Sequence, residues 1–180
     1  MGITGALAVE DLLTVANSYH GPEAREPGTD DGSTSLAAHD HLDSAPAAID
    51  FFQRHGIRLS ERPQPRHLAV LKEIRLAARM LATNRRGYER RTGRLLTDAR
   101  FRLDANGRLL AVRPGWDGFV DGLLIGLVEI SEDAERLKLC DNDQCRWLFL
   151  DRSKNRSRQW CESASCGNRQ RVRRFRRRTA

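Results

Sequence analysis

The sequence predicts an α+β protein that is mainly α: a helical N-terminal domain, residues 1–139, with one small antiparallel hairpin, followed by a small cysteine-bearing module, residues 140–180. Three observations lead there. Apolar residues recur every three or four positions along two long stretches, 66–86 and 117–130, which is the period of a helix with one buried face. Asn106-Gly107 sits between two short β-compatible runs, a signal for a hairpin. All four cysteines fall within 140–180 as two C-x4-C pairs, Cys140 with Cys145 and Cys161 with Cys166.

In chain order, Ala6 to Tyr19 places Val9, Leu12, Leu13 and Ala16 on one helical face and reads as a helix or a helix plus strand. His20 to Pro46 is rich in Gly, Pro, Ser, Asp and His and reads as a long loop. Long loops within domains tend to carry function, so a small-molecule effector of the N-terminal domain is expected to bind there. His39, Asp40, His41 and Asp43 offer metal-ligand atoms, but no further ligand follows at a suitable spacing, and a polar loop is the expected reading. Ala47 to His55 is a short helix stopped by Gly56.

Leu68, Leu71, Ile74, Ala78 and Leu81 form the core stripe of a helix over 66–86, with Lys72, Glu73, Arg75 and Arg79 on its other faces and Gly87 at its end. Arg90 to Thr97 reads as another short helix, and Arg100–Leu103 and Arg108–Val112 as the hairpin strands. Asp117 is expected to cap the next helix, in which Phe119, Leu123, Leu127 and Ile130 make the apolar stripe and Gly122 and Gly126 allow close approach of another helix. Ser131 to Leu139 is expected to run as helix directly into Cys140, without a flexible linker. No stretch is long and apolar enough for a membrane span.

Two short cysteine pairs on a spacer long enough for a hairpin suit one tetrahedral zinc ion with four thiolate ligands, a site with no open position for substrate. Disulfides are the alternative. The first twenty residues show no basic n-region, long apolar run or cleavage site, so a cytoplasmic protein with reduced thiols is expected. Neither pair has the C-x-x-C spacing of redox motifs. Trp147 to Leu150 is β-compatible, and residues near Arg158 to Trp160 can return antiparallel to it. The last helix then opens at Cys166, giving a treble-clef-like order of knuckle, hairpin and helix. Asp151, Ser153 and Asn155 suit backbone capping across the turn at least as well as base contacts. Trp147 and Trp160 suit a small core around the metal better than stacking platforms.

Charge is concentrated in the same module. Arg146, Arg152, Lys154, Arg156, Arg158, Arg169, Arg171, Arg173, Arg174, Arg176, Arg177 and Arg178 face only Asp141, Asp143, Asp151 and Glu162, twelve basic residues against four acidic. The module therefore carries a net +8 in a chain of net +7, and residues 1–139 carry −1. Such local, arginine-dominated basicity is the footprint of a polyanion partner. An anionic protein, a lipid surface or simple solubility are the other readings of a charge run. Val172 and Phe175, three apart, predict an apolar ridge that packs the final helix against the knuckles.

From Phe149 the chain reads F-x-D-x-S-x-N (Phe149, Asp151, Ser153, Asn155), then Trp160-Cys161, then Cys166-Gly167-Asn168-Arg169 and a basic tail. Together with the first cysteine pair, this segment resembles the CGNR zinc-finger family across 140–180. Gln159 and Arg171 depart from that family's usual arginine and lysine, and neither is a proposed ligand. The resemblance implies a bacterial protein whose C-terminal finger binds nucleic acid, usually attached to an N-terminal ABATE domain and described as a stress-responsive transcription regulator. Val15-Ala16-Asn17-Ser18 resembles the asparagine-containing motif of ABATE domains.

The expected function is therefore a zinc-dependent nucleic-acid-binding protein, a transcription regulator on double-stranded DNA. One structural zinc is held by Cys140, Cys145, Cys161 and Cys166. The contacts come from Arg152, Lys154, Arg156, Arg158, Asn168, Arg169, Arg171, Arg173, Arg174, Arg176, Arg177 and Arg178. The alternative is a zinc-stabilised interaction module for an acidic protein. No nucleophile-base pair or phosphate loop suggests an enzyme.

Overall fold

The computed structural model describes residues 5–20, 39–83 and 86–179. Six α-helices are present among them: α1 (Gly5–Ala16), α2 (Ala45–Arg54), α3 (Pro65–Thr83), α4 (Tyr88–Leu96), α5 (Gly115–Glu132) and α6 (Asn168–Thr179). The strands form three antiparallel pairs: β1 (Tyr19–His20) with β2 (His39–Asp40), β3 (Phe101–Leu103) with β4 (Leu109–Ala111), and β5 (Leu137–Leu139) with β6 (Leu148–Leu150). Most of the long loop expected over 20–46 lies outside the described residues.

The core is where α1, α3 and α5 meet. Leu12, Val15 and Ala16 come from α1, Leu71, Ile74, Ala78 and Leu81 from α3, and Phe119, Leu123, Leu127 and Ile130 from α5, all buried. Both long apolar stripes read from the sequence thus face inward. Phe51 and Phe52 of α2 add an aromatic edge, with Phe52 5.5 Å from the Phe119 ring and 5.6 Å from Trp116.

Helix α2 starts two residues earlier than its periodicity suggests because Ser44 caps it, accepting a hydrogen bond from Ala47 N at 3.3 Å, with a proline in the first turn. Asp117 does not cap α5. Pro114 takes the cap position, and Asp117, one turn in, instead binds His67 Nε2 and Arg66 Nη2, each at 3.2 Å. Nearby, Asp121 is fully buried inside the apolar helix and is held bidentately by Arg113 at 2.7 and 2.5 Å. A Cβ at Gly118 would lie 1.9 Å from the Arg113 carbonyl oxygen, so this close approach of backbone to helix requires glycine there.

Two expectations about the C-terminal half are corrected. The segment 131–139 does not enter the first knuckle as helix: α5 ends at Glu132, a single 3-10 turn follows at Ala134–Arg136, and 137–139 is strand. Strand β6 pairs with that strand, in the register Leu137 with Leu150 and Leu139 with Leu148, rather than with residues near 158–160. The cause is Asp151. Its buried carboxylate accepts from Arg158 N at 2.9 Å, Ser153 N at 2.9 Å and Lys138 Nζ at 2.7 Å. The stretch 151–158 is thereby tied into a loop anchored to Lys138 of β5, and the backbone N–H that a returning strand would offer is already used.

Candidate metal centre and nucleic-acid interface

Each cysteine is placed by a different local device. Cys140 follows β5 directly, and its N–H donates to the Trp147 carbonyl at 2.8 Å. Cys145 and Arg146 donate their N–H groups to the Asn142 carbonyl at 2.8 and 3.1 Å, which closes the tight turn between the first two ligands. Arg146 takes a left-handed backbone, φ 50°, as the chain leaves that turn. Cys161 follows Trp160, and Cys166 sits in a π turn, Ser163–Gly167, immediately before α6. A Cβ on Gly167 would press to 3.2 Å of the Trp160 ring. The glycine thus lets that ring close over the second pair.

The four Sγ atoms lie within 4.8 Å of one another. Cys145 and Cys161 are 3.6 Å apart and Cys161 and Cys166 3.7 Å. Thiolates at about 2.3 Å from a tetrahedral zinc are separated by about 3.8 Å, whereas a disulfide requires about 2.05 Å. The spacing is that of metal ligands. Trp147 and Trp160 pack around the sulfurs as a small separate core, as expected from the sequence.

Electrostatics agree with this. Hydrogen bonds from the Cys145 and Cys161 thiols pull Cys140 down to about 2, aided by backbone N–H groups of Cys161 and Asn142. The contact with Cys140 in turn pushes Cys145 up to about 12 and also raises Cys161. The first thiolate is easily made and the next ones are resisted, because like charges accumulate in a partly buried space. A divalent cation removes that resistance and holds all four as thiolates. Residues 136–179 match the CGNR zinc finger family, and the four cysteines hold one structural zinc. No curated protein matches the chain.

The finger is joined to the helices by polar contacts between residues far apart in sequence. Asn17, buried at the C-terminal end of α1, donates Nδ2 to the Leu148 carbonyl at 2.8 Å and accepts from Leu148 N at 2.7 Å. Its amide pairs with the backbone of β6 as a neighbouring strand would. Arg79 of α3 donates to the carbonyls of Ala16 at 3.3 Å and Arg146 at 3.1 Å, linking the end of α1 to the first knuckle. Leu137 and Leu148 are buried in the helical core itself. Arg79 and Lys138 carry no local signal for these roles, since their partners are set by the tertiary fold. Asn17 is marked only by its place in the ABATE-like run.

The twelve proposed nucleic-acid contacts fall into two groups. Arg152, Lys154, Arg156 and Arg158 lie on the loop after β6. There Arg152 pairs with Glu10 and Arg156 with Glu135 at 2.5 Å. Arg158 donates to the carbonyls of Trp160 and Cys161 and lies 5.1 Å over the Phe149 ring. Lys154 is exposed. The second group, Asn168, Arg169, Arg171, Arg173, Arg174, Arg176, Arg177 and Arg178, is on α6. Asn168, Arg171, Arg176 and Arg177 are exposed, Arg169 and Arg173 half-buried, and the side chains of Arg174 and Arg178 lie outside the description.

Val172 and Phe175 are not buried against the knuckles as the ridge reading expected. They are 42% and 68% exposed. The tryptophans already cover the sulfurs, and α6 packs chiefly on the π turn that precedes it.

Proposed function

We propose that this protein binds nucleic acid, double-stranded DNA in the first instance, through α6, and acts as a transcription regulator whose zinc orders the module that presents this helix. The observation that carries the reading is α6 itself: twelve residues with seven arginines and no acid, and with its two apolar side chains exposed. Arginines at 169, 173 and 177 are four apart, as are those at 174 and 178. Like charges at that spacing destabilise a helix, and a helix without a buried stripe has little packing to offset the repulsion. Phosphates remove it.

At about 1.5 Å per residue the helix is about 18 Å long, and a B-DNA major groove about 12 Å wide admits it. Asn168, Arg169 and Arg173 lie toward its N-terminal end, where recognition helices meet base edges. Four thiolate ligands fill a tetrahedral zinc, which supports a structural rather than catalytic metal. No helix among the described residues is long and apolar enough to cross a membrane. A cytoplasmic protein whose N-terminal helical domain senses a small effector completes the proposal.

The test is fluorescence anisotropy of zinc-loaded protein with mixed-sequence duplex DNA over a salt series, beside the double variant Arg173→Glu, Arg177→Glu. Five phosphate contacts give a log-log slope of about −4.5, and the variant should flatten it by about 2 or abolish binding. Absence of binding at low salt overturns the reading. An acidic protein partner, met by the same arginines with Val172 and Phe175, then takes its place.

A further inference from the structure

Between the C-terminal end of α3 and the finger lies a cleft of about 620 Å³. That is the size of small-ligand pockets, but its walls are polar: Lys138, Arg146, Arg156 and Arg158 line it against a single acid, Asp141. Two of the four cations are already answered. Lys138 meets Asp151 at 2.7 Å, and Arg156 meets Glu135 at 2.5 Å and Asp133 at 3.5 Å. The guanidinium groups of the other two meet no carboxylate among the described residues. The Arg158 guanidinium binds carbonyl oxygens and covers an aromatic ring, and Arg146 is exposed, its backbone engaged by the turn and by Arg79.

Two guanidinium groups lining the cleft, those of Arg146 and Arg158, thus have no carboxylate partner among the described residues, and an anion entering the cleft would supply one.

We propose that this cleft is a phosphate subsite, in which Arg146 and Arg158 bind one or two phosphate groups of a nucleotide unit. The phosphates belong either to a free nucleotide-like effector or to the backbone of bound nucleic acid. The second case rests on the reading in the preceding section, and the first does not. Forked guanidinium donors favour phosphate geometry. The cleft has no aromatic lining for a base, so recognition is of the phosphates.

Isothermal titration of full-length, zinc-loaded protein with inorganic pyrophosphate, and anisotropy with duplex DNA, are compared for wild type, Arg146→Glu, Arg146→Gln and Arg102→Glu. The last reverses an exposed charge on the distant hairpin strand β3. Zinc content and thermal midpoint serve as folding controls, and Arg146→Gln remains informative where the charge reversal disturbs the turn. If free phosphates are the ligand, pyrophosphate binds wild type, weakens about tenfold or more in the Arg146 variants and is unchanged in Arg102→Glu. It then binds equally well when Arg173 and Arg177 of α6 are reversed, even if DNA binding fails altogether. If the backbone is the ligand, pyrophosphate binds weakly or not at all, and DNA affinity falls in the Arg146 variants but not in Arg102→Glu. If neither pyrophosphate nor DNA binding responds to Arg146 more than to Arg102, the subsite is overturned.

Discussion

In the helical part of the chain, Leu12, Val15, Leu71, Ile74, Leu123 and Leu127 are all but completely buried within one continuous core. The finger has nothing of the kind: its inner cluster is four sulfurs, and two tryptophans pack around them. One region is held by many interchangeable apolar contacts, the other by a few bonds with fixed partners. A contact-rich core degrades gradually when one side chain is trimmed. A site built from four ligands fails at the loss of any one of them. The two regions are not independent, however, because β5 and β6 place Leu137 and Leu148 in the helical core while their ends carry the first knuckle.

The largest effect separating the regions comes from the metal. Structural zinc in small fingers contributes about 10–16 kcal/mol of apparent binding energy. Cys161→Ser, or chelation, should therefore strip amide protection from the two knuckles, 140–147 and 159–167, while the β5–β6 hairpin, α3 and α5 retain theirs, as read by hydrogen exchange. Retained protection and one bound zinc in that variant would sink the ligand assignment.

Next is the junction. Asn17→Ala leaves both Leu148 backbone groups buried without their partner, a cost of about 1–3 kcal/mol. Thermal unfolding should show one transition lowered as a whole. If only the finger's protection falls, the two regions are more separable than the shared hairpin suggests.

Asp151 distinguishes the regions along the pH axis. Burial alone would raise its carboxyl from the ordinary 3.8, but Lys138, Ser153 and the N–H of Arg158 outweigh this and hold it well below. A depressed carboxyl contributes stability that is complete above its ordinary value and is lost as pH falls from there through the folded value. Asp151→Asn should be less stable than wild type near neutrality, with the difference shrinking steadily below about pH 4 as wild type is protonated. A difference that does not vary with pH would contradict the role of the charge. The smallest effect is expected at the surface. Arg152 and Glu10 form an exposed ion pair, and Arg152→Ala should change stability by about 0.5 kcal/mol or less.

What the sequence revealed follows the same division. The stripes on α3 and α5 and the four sulfur ligands were legible because each depends on spacing within one segment: periodicity for the helices, paired cysteines for the metal. The hairpin at 101–111 was legible for the same reason, through Asn106-Gly107. The choice of partner for β6 was not. Residues 137–139 read as the end of a helix and 158–160 as the returning strand, and the decision rests on a side chain, Asp151, that occupies the Arg158 N–H. Val172 and Phe175 misled because three-residue spacing signals an apolar ridge without saying whether anything lies opposite. The Asn17 and Arg79 contacts join residues 131 and 67 positions apart, and no local pattern encodes such pairs.

The Asn17 pairing also bears on the order in which the protein comes into being. Asn17 is translated before Leu148, which follows 131 residues later. At about 5–20 residues per second this is an interval of about 7–26 s. Through it the end of α1 stays without its backbone partner, and the α1, α3 and α5 core lacks Leu137 and Leu148. Completion of the helical domain is therefore delayed until the hairpin emerges, and a nascent chain interrupted before β6 would present an unfinished apolar surface to the cell's chaperones.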